Sequence, residues 1–433
     1  MFQPEFELLN REQIEELQLE RLQKTVRYAY ENVRAYKEKL DSVKIKPQDI
    51  KSLDDIKKLP FTTKEDFRQN YPYGMFALNV KQLARIHASS GTTGKSTIVG
   101  YTKKDLDTWS DLVARLAACA GVGSEDIVHI AFGYGLFTGG FGLHYGLEKL
   151  GATVIPVSSG NTKRQIQLIM DLKPTVLVST PSYALHIAES LKKEGINQND
   201  ISLKIGLFGA EPWSEQARKK LQESLPIKAY DNYGLSEVMG PGVSAECIYQ
   251  NGMHIFEDHF YAEIVDPETL LPVKDGEYGE LVITTLTKEA LPVIRYRTKD
   301  ITKLDKSKCA CGRYMARMSK PIGRSDDMMI IRGVNVFPTQ IEEALFNIEG
   351  VGNAYQIVLE REEALDKATL FVEVNENIFF DEMKQQRLML EKIKRELKII
   401  LGIELEVKLV EPYSIERSVG KAQRVIDKRG IYK

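Results

Sequence analysis

Four apolar runs, 127-IVHIAF-132, 154-VIPV-157, 176-VLVST-180 and 204-KIGLF-208, decide how this chain folds. Each is four to six residues long, too short for a helix and suited to a strand. The intervening stretches Lys163–Leu172, Tyr183–Lys193 and Ser214–Leu225 read as helices. Strands alternating with helices predict parallel β-α-β units with helices on both faces of a doubly wound, mostly parallel α/β sheet. Such a sheet binds ligands beyond the carboxyl ends of its strands. Two loops sit at that edge, Gly133-Tyr134-Gly135-Leu136-Phe137-Thr138-Gly139-Gly140 and Gly209-Ala210-Glu211-Pro212.

Working outward, residues 11–40 space apolar side chains (Ile14, Leu17, Leu22, Val26, Tyr30) as an amphipathic surface helix does. After about residue 253 the pattern becomes strand-rich (Ala262–Val265, Glu280–Thr285), which predicts a β subdomain over about 253–322. Beyond Gly323-Arg324-Ser325-Asp326-Asp327, expected strands at Tyr355–Leu359, Thr369–Val374 and Glu404–Leu409 flank a helix at about 382–400. The expected organisation is a large domain over 1–323, a hinge at 324–326 and a smaller α+β unit over 327–433.

Upstream of the sheet, Ala88-Ser89-Ser90-Gly91-Thr92-Thr93-Gly94-Lys95-Ser96-Thr97 reads as a phosphate grip. Its glycines let backbone N–H groups approach an oxyanion, its hydroxyls add donors, and Lys95 adds a mobile positive charge. A Walker A loop needs glycine six residues before the lysine, and Ser89 stands there. A flexible Ser/Thr-rich surface loop is the bland alternative.

Bulk properties narrow the partners. A chain of 433 residues exceeds one compact core, and 59 basic against 61 acidic side chains argue against nucleic-acid binding by charge. There is no run of about 18 apolar residues and no apolar leader, so no membrane association is expected. Four cysteines form no disulfide framework, which points to a reducing cytoplasm.

Several separated motifs together resemble one family. Ser89–Lys95 resembles the phosphate loop of the adenylate-forming (acyl-CoA synthetase, adenylation domain, luciferase) superfamily, and the rest of the chain resembles its phenylacetate–CoA ligase branch. Asp231-Asn232-Tyr233-Gly234-Leu235-Ser236-Glu237 resembles the second core motif, with Tyr233 against adenine and Glu237 holding Mg²⁺ on the triphosphate. Gly209, Ala210 and Glu211 resemble the segment closing the other side of the adenine. Arg295–Asp300 resembles the ribose motif, where Asp300 can accept from both sugar hydroxyls, and Arg324 is a second candidate for the ribose or α-phosphate. Glu416-Arg417-Ser418-Val419-Gly420-Lys421-Ala422 resembles the last motif, which puts Lys421 in the catalytic position. By residue type alone, these segments also read as a turn, a solvated charge cluster and a surface lysine.

Cys309-x-Cys311 with Cys247 and His254 forms a possible Cys₃His set, a closed structural Zn²⁺ site if the strands bring the two loops together; three buried thiols and an ordinary histidine are the alternative. Tyr134, Phe137 and Phe141, with room left at Gly135 and Gly139, are candidates to frame a flat aromatic acid, or plain core. Near Arg332-Gly333-Val334-Asn335 lies a candidate coenzyme A contact.

The resemblance implies a two-step ligase using ATP, Mg²⁺ and coenzyme A. A small carboxylic acid displaces pyrophosphate to form an acyl-adenylate while Lys421 stabilises the charge. The small domain then swings about Asp326 so that the thiol can attack. The N-terminus is shorter than in most relatives, which suggests a compensating homodimer. A stand-alone adenylation enzyme loading a carrier protein and a nucleotide-hydrolysing switch are the rival readings.

Overall fold

The computed structural model describes residues 1–89, 96–136, 138–331, 334–362, 365–379, 383–417 and 422–429. The predicted strands become β1 (Ile127–Ile130), β2 (Thr153–Ile155), β3 (Val176–Ser179) and β4 (Ile205–Gly209), joined by β5 (Lys228–Leu235) in the parallel order β2-β1-β3-β4-β5. The crossovers are α1 (Thr138–Leu150), α2 (Thr162–Leu172), α3 (Pro181–Lys193) and α4 (Glu215–Ser224). β3 is buried at every position because both its faces are covered, which explains its lack of polar alternation. Val176, Val178 and Leu207 pack into one core layer, and Leu177, Phe208 and Ala229 into the other. Strand order reverses at β1, so the crevice expected of a doubly wound sheet lies above the ends of β1 and β3.

The second half of this sheet is antiparallel. β5 turns back into β6 (Gly240–Glu246), which pairs with β7 (Met253–Ile255). A Cβ on Gly234 would stand 1.9 Å from the Gly240 carbonyl oxygen, so this turn closes only around glycine. The helix Lys103–Cys119 covers β6, and Trp109 Nε1 donates to the Pro241 carbonyl at 2.9 Å.

The strand-rich region divides between two sheets. β8 (Phe260–Val265), β9 (Gly279–Thr285), β10 (Tyr296–Thr302) and β13 (Gly323–Arg324) form a separate antiparallel sheet. β7, β11 (Leu304–Asp305) and β12 (Arg317–Met318) instead extend the large one. Met253, Ile255 and Met318 are at most 1% exposed, and pairing in the large sheet supplies the ladder partners that such buried strands need. The N-terminal amphipathic stretch is two helices, Arg11–Asn32 and Arg34–Ser42, broken at Val33.

The small C-terminal α+β domain has its own core, including Ile341, Leu345, Ile357, Leu370, Ile393 and Leu397. Helices α5 (Pro338–Phe346) and α6 (Met383–Leu401) pack on β14 (Val351–Glu362), β15 (Leu365–Val374), β16 (Glu406–Val410) and β17 (Val425–Asp427), ordered β16-β15-β14-β17. Among the described residues, no helix is long and apolar enough to cross a membrane.

Candidate active site

The Asp231–Leu235 motif lies inside β5 rather than in a loop after it, because pairing with β6 carries the strand onward. Asn232 Nδ2 donates to the Phe208 carbonyl at 2.6 Å, and the Asp231 amide donates to Glu246 Oε2 at 2.8 Å. Asp231 is buried, and burial pushes its carboxyl up to about 6. These two residues brace the strand that presents Tyr233.

Tyr233 Oη donates to Asp300 Oδ2 at 2.5 Å, joining β5 of the large sheet to β10 of the smaller one. Asp300 is paired with Arg324 across the β10–β13 ladder, and Arg324 Nη1 lies 3.5 Å from Asp300 Oδ1. The same guanidinium holds both Asp326 carboxylate oxygens at 2.9 Å and the Thr298 carbonyl at 3.1 Å. Residues 67 and 24 positions from Asp300 in sequence thus converge on one carboxylate, with Asp326 tied to the same arginine.

Beside them, Gly209 ends β4 and Ala210 adopts a left-handed φ of 71°. Glu211 Oε1 accepts the Ser182 amide at 2.7 Å and Oε2 accepts the Ala422 amide at 2.9 Å. Burial raises the Glu211 carboxyl above its ordinary value. Glu211 therefore clasps the small domain at the residue following Lys421. Ser90, Gly91, Thr92, Thr93, Gly94, Lys95, Phe137 and Lys421 lie outside the described residues, as do Arg332 and Gly333. The base of the loop at 89–97 is closed by Ser89 N donating to the Thr97 carbonyl at 2.9 Å.

Glu237 is 5% exposed in the turn after β5, and Ser236 Oγ lies 2.9 Å from Thr138 Oγ1. Two side chains that sequence reasoning missed hold this turn. Lys288 Nζ donates to the Val238 carbonyl at 2.9 Å and stands 4.6 Å over the Tyr101 ring, while Tyr101 Oη donates to the Met239 carbonyl at 2.7 Å. Desolvation pulls the Lys288 ammonium down to about 8. Lys288 lies just ahead of the apolar run 290-ALPVI-294, and its local sequence, TKE, carries no signal of burial.

In the loop expected to frame the acid, Gly135 has φ 127° and open space where a Cβ would stand. Tyr134 Oη meets His144 Nδ1 at 3.1 Å, and the Tyr134 and Phe141 rings are edge-to-face at 5.4 Å. Phe141 sits on α1, also facing Arg85 and His87. The space beside Gly139 is filled by Phe132, which a Cβ there would meet at 2.3 Å.

Ligand atoms of Cys247, His254, Cys309 and Cys311 all lie within 4.8 Å of one another. Cys247 Sγ is 3.8 Å from Cys309 Sγ, and Cys311 Sγ is 3.4 Å from His254 Nε2, edge lengths fitting a tetrahedron of Zn–S and Zn–N bonds. Hydrogen bonding from Cys247, with help from His254 and Arg313, draws the Cys311 thiol down, and the same contact pushes the Cys247 thiol up.

A phenol–carboxylate–guanidinium set above a doubly wound sheet, with a second domain docked over it, describes a nucleotide-using two-domain enzyme. Residues 13–287 match the AMP-binding enzyme model and residues 333–429 the AMP-binding enzyme C-terminal domain. The phenylacetate-coenzyme A ligase of Aromatoleum evansii is 50% identical over 98% of this chain and 96% of its own length. A 2-hydroxyisobutyryl-CoA ligase in its postadenylation state, holding 2-HIB-AMP, superposes with TM-score 0.94 at 29% identity, over 99% of this chain and 92% of that one. The same ligase with 2-HIB-AMP and CoA in its thioesterification state gives 0.73 at 30% identity, with the same coverage of both chains. The chain belongs to the AMP-binding enzyme family, in its phenylacetate–CoA ligase branch. It is an AMP-forming acid–CoA ligase.

Proposed function

We propose that this enzyme activates an arylacetic acid, with phenylacetate as the reference substrate, and that the residues assembled above carry both half-reactions. The supporting observation is the convergence of Tyr233, Asp300, Arg324 and the Glu211–Ala422 clasp at one edge of the sheet. Tyr233 offers a flat face to adenine, and Asp300 accepts the ribose hydroxyls. Residues 89–95 grip the phosphates. Glu237 would hold Mg²⁺, since a buried carboxylate in the turn after β5 suits a hard cation; the ion would supply charge neutralisation on the triphosphate. Lys421, next to the clasped Ala422, stabilises charge as the substrate carboxylate attacks the α-phosphorus and pyrophosphate leaves. Reorientation of the small domain about Asp326 then withdraws Lys421 and admits the thiol to the adenylate carbonyl, releasing AMP.

Tyr134, Gly135, Phe137 and Phe141 border the acyl group in this reading, and its aromatic character is supported by the similarity to phenylacetate ligases. Cys247, His254, Cys309 and Cys311 hold a structural Zn²⁺, a closed donor set that stiffens the scaffold without meeting substrate. A cytoplasmic homodimer completes the reading, and solution mass measurement checks the dimer. A panel of aryl and alkyl acids, assayed for pyrophosphate release with CoA present, tests the substrate class. Turnover confined to alkyl acids overturns the aromatic assignment; thioester formation only on a carrier protein favours the carrier-loading alternative.

A further inference from the structure

Contacts between the two domains concentrate on α4. Ser214 caps this helix in the usual way, its Oγ accepting the Ala217 amide at 3.0 Å. A second cap comes from the other domain. Glu342, on α5, accepts the Ser214 amide at 2.9 Å and the Ser214 hydroxyl at 3.0 Å. It is 4% exposed, and its other oxygen lies 3.4 Å from Arg424 Nη2. Further along α4, Lys220 Nζ donates to the Val351 and Gly352 carbonyls at 3.0 and 2.9 Å and stands 4.6 Å over the Phe346 ring. Arg417, bound to Glu373 within the small domain, reaches Glu189 on α3 at 3.5 Å.

A carboxylate at a helix N-terminus gains from charge-assisted hydrogen bonds and from the helix dipole, and burial strengthens both. This gain exists only while the small domain is docked as seen here. A posture that parts α5 from α4 breaks both bonds between Glu342 and Ser214. The arrangement of domains superposes on a relative in its postadenylation state far better than on the same relative in its thioesterification state, with TM-scores of 0.94 and 0.73. None of Glu342, Ser214 or Lys220 belongs to the residues assigned to nucleotide or acid.

We propose that Glu342 is a positioning residue, which holds the small domain in the posture of the first half-reaction by capping α4 across the domain boundary and must let go before the second. The inference rests on the two-step ligase reading above. It divides the reaction between a latched and a released state, and it predicts that weakening the latch affects the two halves unequally.

The test separates them. ATP–pyrophosphate exchange with phenylacetate reports the first half, and thioester formation from chemically synthesised phenylacetyl-adenylate and CoA reports the second. Glu342→Ala is expected to slow exchange about tenfold at saturating substrates, the equivalent of about 1.4 kcal/mol. Thioester formation is unchanged or faster. Glu342→Gln, which keeps a carbonyl acceptor, recovers most of the exchange rate and serves as the test variant should Glu342→Ala fail to fold. Limited proteolysis without substrate supplies a readout independent of activity: the segment joining the domains is cut faster in Glu342→Ala than in the native enzyme. Equal loss in both half-reactions, or exchange and proteolysis at native rates, overturns the proposal. If native enzyme supports no exchange with any acid, the ligase reading fails instead, and the proteolysis comparison still decides the latch.

Discussion

Replacing Asp300 by Asn tests the nucleotide site most directly. The carboxylate accepts from Tyr233 at 2.5 Å and faces Arg324 at 3.5 Å, and in the proposed complex it also accepts the ribose hydroxyls. Asparagine keeps the shape and one acceptor oxygen but loses the charge. A hydrogen bond to a charged group contributes about 1.5–3 kcal/mol, so the KM for ATP should rise about 10- to 150-fold. The fold should survive, because Arg324 keeps its two bonds to Asp326 at 2.9 Å and its bond to the Thr298 carbonyl. Pyrophosphate exchange measured with ATP and with 2′,3′-dideoxy-ATP makes the assignment specific. The native enzyme should lose on the analogue about what Asp300→Asn loses on ATP, and the variant should lose little more on the analogue. Penalties that simply multiply would refute the idea that Asp300 reads the sugar.

Lys421→Ala should slow adenylation about 10²- to 10³-fold, the range for removing one charge-stabilising donor, while equilibrium dialysis finds ATP affinity little changed. Metal analysis of purified protein should return one zinc per chain, and Cys309→Ser should abolish it and lower the melting temperature by several degrees. Burial pushes the folded Asp231 carboxyl up to about 6 from its ordinary 3.8, so the folded state should bind the extra proton between those values and stability should fall as pH rises through that window. Asp231→Asn removes that cost; in urea titrations it should be the more stable protein above pH 6, by on the order of 3 kcal/mol at most, with the difference gone below about pH 4.

The parallel half of the large sheet was legible because burial on both faces writes itself as unbroken apolar runs, and Val176–Ser179 lies where 176–180 was expected. The antiparallel half was not. β6 reads GPGVSAE, with two glycines and a proline, and owes its place to Trp109 and to the close approach of Gly234 and Gly240 rather than to propensity. The β subdomain was visible as strands, but which sheet each strand joined depends on long-range pairing that local pattern does not encode. At the site, the family resemblance pointed to Tyr233, Asp300 and Arg324 separately; their convergence is a property of the fold. The four zinc-ligand candidates were readable from chemistry and spacing, and the structure gathers them. Contacts across the domain boundary, such as Glu342 on Ser214, leave no periodic trace, since a single buried carboxylate on a helix looks like any exposed one.

Tyr233 and Asp300, the proposed platform for the purine and acceptor for the sugar, hang from different sheets and meet in a short hydrogen bond. Slippage between these layers by a fraction of an ångström would blunt nucleotide capture while leaving each sheet's own ladder whole. On warming, catalysis should therefore fade at a lower temperature than the cooperative melt, and bound ATP, by stapling the layers together, should narrow the gap.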